Sequence, residues 1–217
     1  MSLSHDGTLM LSKDAFKKDP FSYSALGRIL LGRVAEQSGE HIIDVDKPAT
    51  SEELKNPILW LTQAEALTQA AILVIKSDPE FENIPQPLRG ICDCQFRAAG
   101  LMLIGYSLEI CIKAMLIIKK GISTYIKEEK KHRHHQLKKL SEFIPDLTIK
   151  DIAILELLTH YIYWAGRYPD PGYGQENKTE EIFEIAEKHE ITAEQLFFLA
   201  SKIMKHTALI INNPQKN

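Results

Sequence analysis

Apolar positions recur along most of this chain at steps of three or four residues, the period of an amphipathic helix facing a core. Ser22 to Gln37 places Ala25, Leu26, Ile29, Leu30 and Val34 at that spacing, with Gly39 as a stop. Asn56-Pro57 reads as an N-cap followed by proline in the first turn. It opens a helix Pro57–Lys76 that turns Leu61, Ala64, Leu67, Ala71, Val74 and Ile75 inward. Pro79, Pro85 and Pro87 exclude regular helix between them. A long helix is predicted from Leu88 to Lys120, ended by Gly121, with Leu101, Ile104, Leu108, Cys111, Met115 and Ile118 as its inner stripe. A charged loop, Glu128 to His134, then leads into a short helix from His135 to Phe143, broken by Pro145. Ile149–Ala165 puts Ile152, Leu155, Leu158 and Ile162 on one face. Thr192-x-x-Gln195 is a capping-box pattern, opening a last helix to Asn212 through Leu196, Leu199, Ile203 and Ala208. Residues 1–21 read as loose and polar, and His41-Ile42-Ile43-Asp44-Val45 as a short strand or an extended linker. With strand signals otherwise absent, the pattern predicts an all-α antiparallel helical bundle. The bundle is expected over residues 91–217, with residues 1–90 as an extension whose one or two helices pack on it.

Composition narrows this. Of 217 residues, 44% are hydrophobic and 25% charged, which excludes wholesale disorder. The net charge of −3 excludes a uniformly polybasic nucleic-acid binder. The charge is uneven, however: Lys113 to Lys139 carries +7 and the remainder −10, so a local positive field can attract phosphates. Three cysteines, two of them in Cys92-x-Cys94, suggest reduced thiols that pack rather than ligate; no metal site and no cofactor are expected. The first sixteen residues hold no long apolar run of the signal-peptide kind. The most apolar stretch, Ala98 to Ile118, is interrupted by Glu109 and Lys113 and makes a poor membrane span. A soluble, cytoplasmic protein is the expectation.

No phosphate loop, nucleophile elbow, zincin or EF-hand pattern occurs. Three local features remain. Glu109 and Lys113 stand four apart on the long helix; they read as a solvated ion pair or as a polar patch enclosed in a groove, where charges need partners. Lys130-Lys131-His132-Arg133-His134-His135 reads as a solvated loop or as a phosphate attractor, with His134 or His135 able to act as general base. Tyr161-x-Tyr163-Trp164-x-x-Arg167-Tyr168-Pro169-Asp170 ends a helix in aromatics. Its Arg167 reads as a helix stop bonding free carbonyls, or as a fork for a phosphate.

These features fall in one order: Tyr106-Ser107-Leu108-Glu109-x-x-x-Lys113-Ala114-x-Leu116, then His135-x-Leu137-x-x-Leu140, then the aromatic helix ending in Arg167-Tyr168-Pro169. That order resembles HEPN domains over about residues 95–210. The resemblance implies a small helical bundle that usually dimerises and often accompanies a nucleotidyltransferase or an antitoxin in toxin–antitoxin, stress or defence systems. Many members are metal-independent RNases with the motif Arg, four to six residues, His. None of the six arginines here has a histidine at that distance; Arg167 is followed there by Gly172, Tyr173 and Gly174. The resemblance therefore implies a non-catalytic module binding nucleotide, RNA or a partner protein through Glu109, Lys113, His135, Arg167, Tyr168 and Asp170. The alternatives are a divergent RNase using His134 or His135 with Arg167, and a purely structural bundle.

Overall fold

The computed structural model describes residues 12–39, 43, 44 and 46–212. Among the described residues eleven α-helices follow in order: α1 Lys13–Lys18, α2 Pro20–Ser24, α3 Gly27–Gln37, α4 Ser51–Leu54, α5 Pro57–Lys76, α6 Arg89–Lys120, α7 Ile122–His132, α8 Leu137–Leu140, α9 Ile149–His160, α10 Asn177–Lys188 and α11 Ala193–Asn212. A single π turn, Tyr161–Ala165, extends α9. No strand occurs among the described residues, so the all-α expectation holds. Ile43 and Asp44 are not in a strand, while His41, Ile42 and Val45, like residues 1–11, lie outside the described residues. By internal contacts the chain divides into two compact units, Met1–Leu59 and Trp60–Asn217.

In the first unit the stretch expected to be loose is helical from Lys13. Side chains supply the missing acceptors: Ser12 Oγ takes the Ala15 N–H at 3.1 Å and Asp19 Oδ1 that of Ser22 at 3.0 Å. Pro20 in the first turn and the Ser24 hydroxyl bonded back to the Pro20 carbonyl (2.7 Å) make α2 a separate element. The single helix predicted from Ser22 to Gln37 is thus two, parted at Ala25-Leu26. Val34, placed inward by periodicity, is exposed, and Gly32 and Ala35 are buried instead. Arg28 ties this unit together, donating to Glu53 and to the carbonyls of Asp44 and Lys47.

The second unit is built on α6. From Ile104 to Ile117 nearly every residue of this helix is buried, as expected where a helix is apolar all round. α7, α8, α9, the π turn and α11 pack against it. Leu108, Ile112 and Met115 meet Leu155, Leu199 and Ile203 in one core cluster. α5 begins where Asn56-Pro57 predicts, the Asn56 side chain accepting the Ile58 N–H at 2.9 Å. The Glu128–His132 stretch expected as loop is helix, because Tyr125 buries against Trp60 while Glu128 reaches Lys131 and Lys120 on the outer face. α8 is shorter than expected: before it, the Gln136 and Leu137 N–H groups bond the side chains of His134 and Thr159 rather than helical carbonyls. α10 was not anticipated; its Ile182, Ile185 and Ala186 do repeat at helical spacing, amid many charges. On α11 the inner position is Thr207, and Ala208 is exposed.

Two stretches, Ser51–Lys76 and Gln86–Lys120, have the length and hydropathy of a membrane span. Most of the apolar window in the second is buried inside the protein, as in the core helix of a globular unit.

Candidate binding site

Glu109 and Lys113 occupy successive turns of α6 where that helix is surrounded by others, so their charges are taken out of water together. Lys113 Nζ donates to Glu109 Oε1 at 2.6 Å. The other carboxylate oxygen, Oε2, accepts from His135 Nδ1 at 2.8 Å. A carboxylate can only accept, so Nδ1 carries the proton and a neutral ring keeps its lone pair on Nε2. His135 is wedged edge-on between Tyr106 (6.0 Å between centroids) and Tyr163 (5.3 Å). Its side chain is 40% exposed, against 6% for Glu109. A buried carboxylate, satisfied on both oxygens, therefore orients a half-exposed imidazole. Of the two readings open in the sequence, the pair is the enclosed one.

The second segment is set by the π turn. Gly166 N–H reaches back five residues to the Tyr161 carbonyl at 3.1 Å, leaving one extra residue in the coil. Two glycines let α6 come this close. A Cβ on Gly166 would stand 2.4 Å from Met102 Cβ, and one on Gly105 2.7 Å from Ile162 Cγ1. The turn places Tyr163 against His135 and ends at Arg167. Arg167 Nη2 donates to the Tyr163 carbonyl, and its guanidinium lies 5.5 Å from the Tyr168 ring centroid. It caps a helix end and leans on an exposed ring. His135 and Arg167 thus both contact Tyr163, one through its ring and one through its carbonyl.

His134 and Asp170, also singled out by sequence, make no hydrogen bond to this cluster. His134 Nδ1 accepts the Gln136 N–H at 3.2 Å, and burial and the Lys139 charge lower its pKa. Asp170 accepts the Gly172 N–H at 2.7 Å within the turn that follows. Beside His135 opens a cleft of about 770 Å³ between α8, α9, the π turn and α10. Tyr163, Trp164, His160, Lys138, Lys139 and Lys178 line it, whereas Glu109, Lys113 and Arg167 do not. His160 and α10 were not read as site elements from sequence; a histidine at a helix end carries no signal of what packs over it. Among the described residues no group of histidines, cysteines and carboxylates is arranged to hold a metal ion.

Residues 94–190 match the HEPN domain family, a stretch running from α6 through the Glu109 cluster and the cleft to α10. The chain carries a HEPN domain. Comparison with curated proteins and with solved structures returned no match. The HEPN domain holds the helices that seat Glu109, His135, Tyr163 and Arg167, and α5 and α11 pack outside the matched stretch. Arg167 stands just beyond the end of the aromatic helix, and Gly172, Tyr173 and Gly174 follow it five to seven positions on, both glycines at positive φ.

Proposed function

We propose that this HEPN domain is a binding module that takes the phosphates of RNA or a nucleotide at the surface around His135. The observation carrying this reading is His135 itself. Its Nδ1 is fixed by buried Glu109, and its half-exposed ring lies at the end of a strongly basic run. In that run Lys130, Arg133 and Lys139 are exposed and make no ion pair among the described residues, so their charge is free for phosphates. Tyr106 and Tyr163 flank the histidine and offer faces for bases. The missing RNase histidine, and the engagement of Arg167 with a carbonyl, speak for binding without cleavage. The protein is soluble and cytoplasmic in this reading, and acts as a homodimer. Anisotropy of a labelled single-stranded RNA, titrated across salt, tests it. Three neutralised phosphates give a slope of about −2 in log K against log salt. Affinity that stays flat with salt contradicts the reading.

A second reading has one observation of its own. A histidine whose Nδ1 is held by a carboxylate presents Nε2 as a base, the arrangement a metal-independent RNase needs for attack by a 2′-hydroxyl. Cleavage of RNA by clean protein in chelator, lost in His135→Ala, would favour it.

A further inference from the structure

The cleft beside the Glu109 cluster shares a wall with it. Tyr163 lines the cleft, and its ring centroid stands 5.3 Å from that of His135. Lys139 lines it too, so a strand whose phosphates lie at His135 and Lys139 passes along its mouth. The lining differs from the basic run outside. It holds three carboxylates, Glu142, Glu156 and Glu181. Lys138 holds Glu156 at 3.4 Å and Lys178 holds Glu181 at 2.7 Å. Glu142 is exposed and makes no hydrogen bond or ion pair among the described residues, so both its oxygens are open acceptors. A carboxylate repels a phosphate and accepts from N–H groups. The cleft therefore suits the uncharged, donor-bearing part of a nucleotide, its base. Tyr163, Trp164 and Pro171 add surface for stacking, and a cavity of about 770 Å³ is in the range of small-molecule sites.

We propose that the cleft is a base pocket that selects guanine from the bound single strand, the Glu142 carboxylate accepting from guanine N1–H and the N2 amine. This rests on phosphate binding around His135 and adds the specificity that such contacts lack, since phosphates carry no sequence information. The choice of base follows from the acceptor. Unpaired bases are read on their Watson–Crick edges. Only guanine sets two donors side by side there, matching the two oxygens of one carboxylate. Adenine and cytosine place a ring acceptor beside the amino group, and uracil flanks its single N–H with two carbonyl oxygens. Each of these turns lone pairs toward the anion. Lys139 and Glu142, three positions apart on the same wall, divide the nucleotide between them: the cation takes the phosphate and the anion takes the base.

The test is anisotropy with the full chain, in chelator at one low salt concentration. The probes are a short labelled oligouridylate and the same strand with one central residue changed to guanine, inosine, adenine or cytosine. The guanine strand is expected to bind about fivefold tighter than the all-uracil strand, or better. Inosine keeps N1–H and lacks the N2 amine, so its strand should fall back to the level of adenine. Glu142→Ala, an exposed change, should bring the guanine-to-uracil ratio close to one. Lys139→Met should lower every affinity together and preserve the ratio. Equal binding of the guanine and uracil strands, inosine binding as tightly as guanine, or a ratio that survives Glu142→Ala would each overturn the base pocket, while salt-dependent binding of oligouridylate upheld the phosphate reading. Retention of no strand at all would fell the phosphate reading and this proposal with it.

Discussion

Two polar clusters lie on either side of Tyr163, and they have been finished differently. At Glu109 every charge that leaves water finds a partner: Lys113 on one oxygen, His135 on the other. At the cleft, the His160 ring stands 3.9 Å from Glu181 Oε1, beyond hydrogen-bond reach, and the Trp164 indole nitrogen is buried with no acceptor among the described residues. The first arrangement is architecture, since a buried carboxylate with both oxygens satisfied fixes the helices and the ring that complete it. The second leaves one indole N–H unpaired inside the protein, a cost to stability that no neighbouring acceptor offsets. Position along the helix does not separate them. What closes over each one does: the residues leading into α8 bring His135 onto Glu109, while a cleft lies between His160 and the segment after the π turn.

The contrast predicts a graded series of losses. Lys113→Ala leaves a buried carboxylate short of its cation and should cost about 3–5 kcal/mol in denaturant unfolding. A loss below 1 kcal/mol would mean that the pair is solvated after all. Glu109→Gln with Lys113→Met should cost less than the two changes added, because neither charge is then stranded. Gly166→Ala pushes a methyl into Met102 and the Tyr161 carbonyl and should cost about 1–3 kcal/mol. It should also disturb the shift of the Trp164 indole, which Thr148→Ala should not. That change removes the α9 cap, in which Thr148 Oγ1 accepts the Asp151 N–H at 3.1 Å, and should cost about 1 kcal/mol far from both clusters.

The smallest effect is in pH. His132, His134, His160 and His206 all have pKa values lowered by burial from 6.5. Each binds its proton more readily when unfolded, so the stability they contribute is present above pH 6.5 and is lost as pH falls through their folded values. Thermal unfolding from pH 7.5 downward should show this decline, and His160→Gln should flatten it by one group's share. An unchanged slope would place His160 in a solvated setting.

The helices that carry the core were legible because burial there follows a local period. The α6 stripe Leu101 to Ile118, the Asn56-Pro57 start and the Thr192–Gln195 box each depend on residues a few positions apart. The Glu109–Lys113 pair was legible as a pair, but its enclosure depends on α8 and the π turn, which lie 26 residues and more away. The π turn could not be read, since it arises where Gly166 meets Met102 across the bundle rather than from any motif within Tyr161–Ala165. α7 and α10 were missed or taken as loop for one reason: a short apolar stripe amid many charges looks like a solvated segment until the surface it covers is known. Arg167 was open between a carbonyl and a phosphate, and the carbonyl of Tyr163 holds it.

The fate of bound RNA tests the central claim most directly. A labelled single strand incubated with nuclease-free protein in chelator, then resolved on a denaturing gel, should be held at low salt, released at high salt, and recovered at full length. Shortened RNA that returns to full length in His135→Ala, or no retention at low salt, would contradict the account.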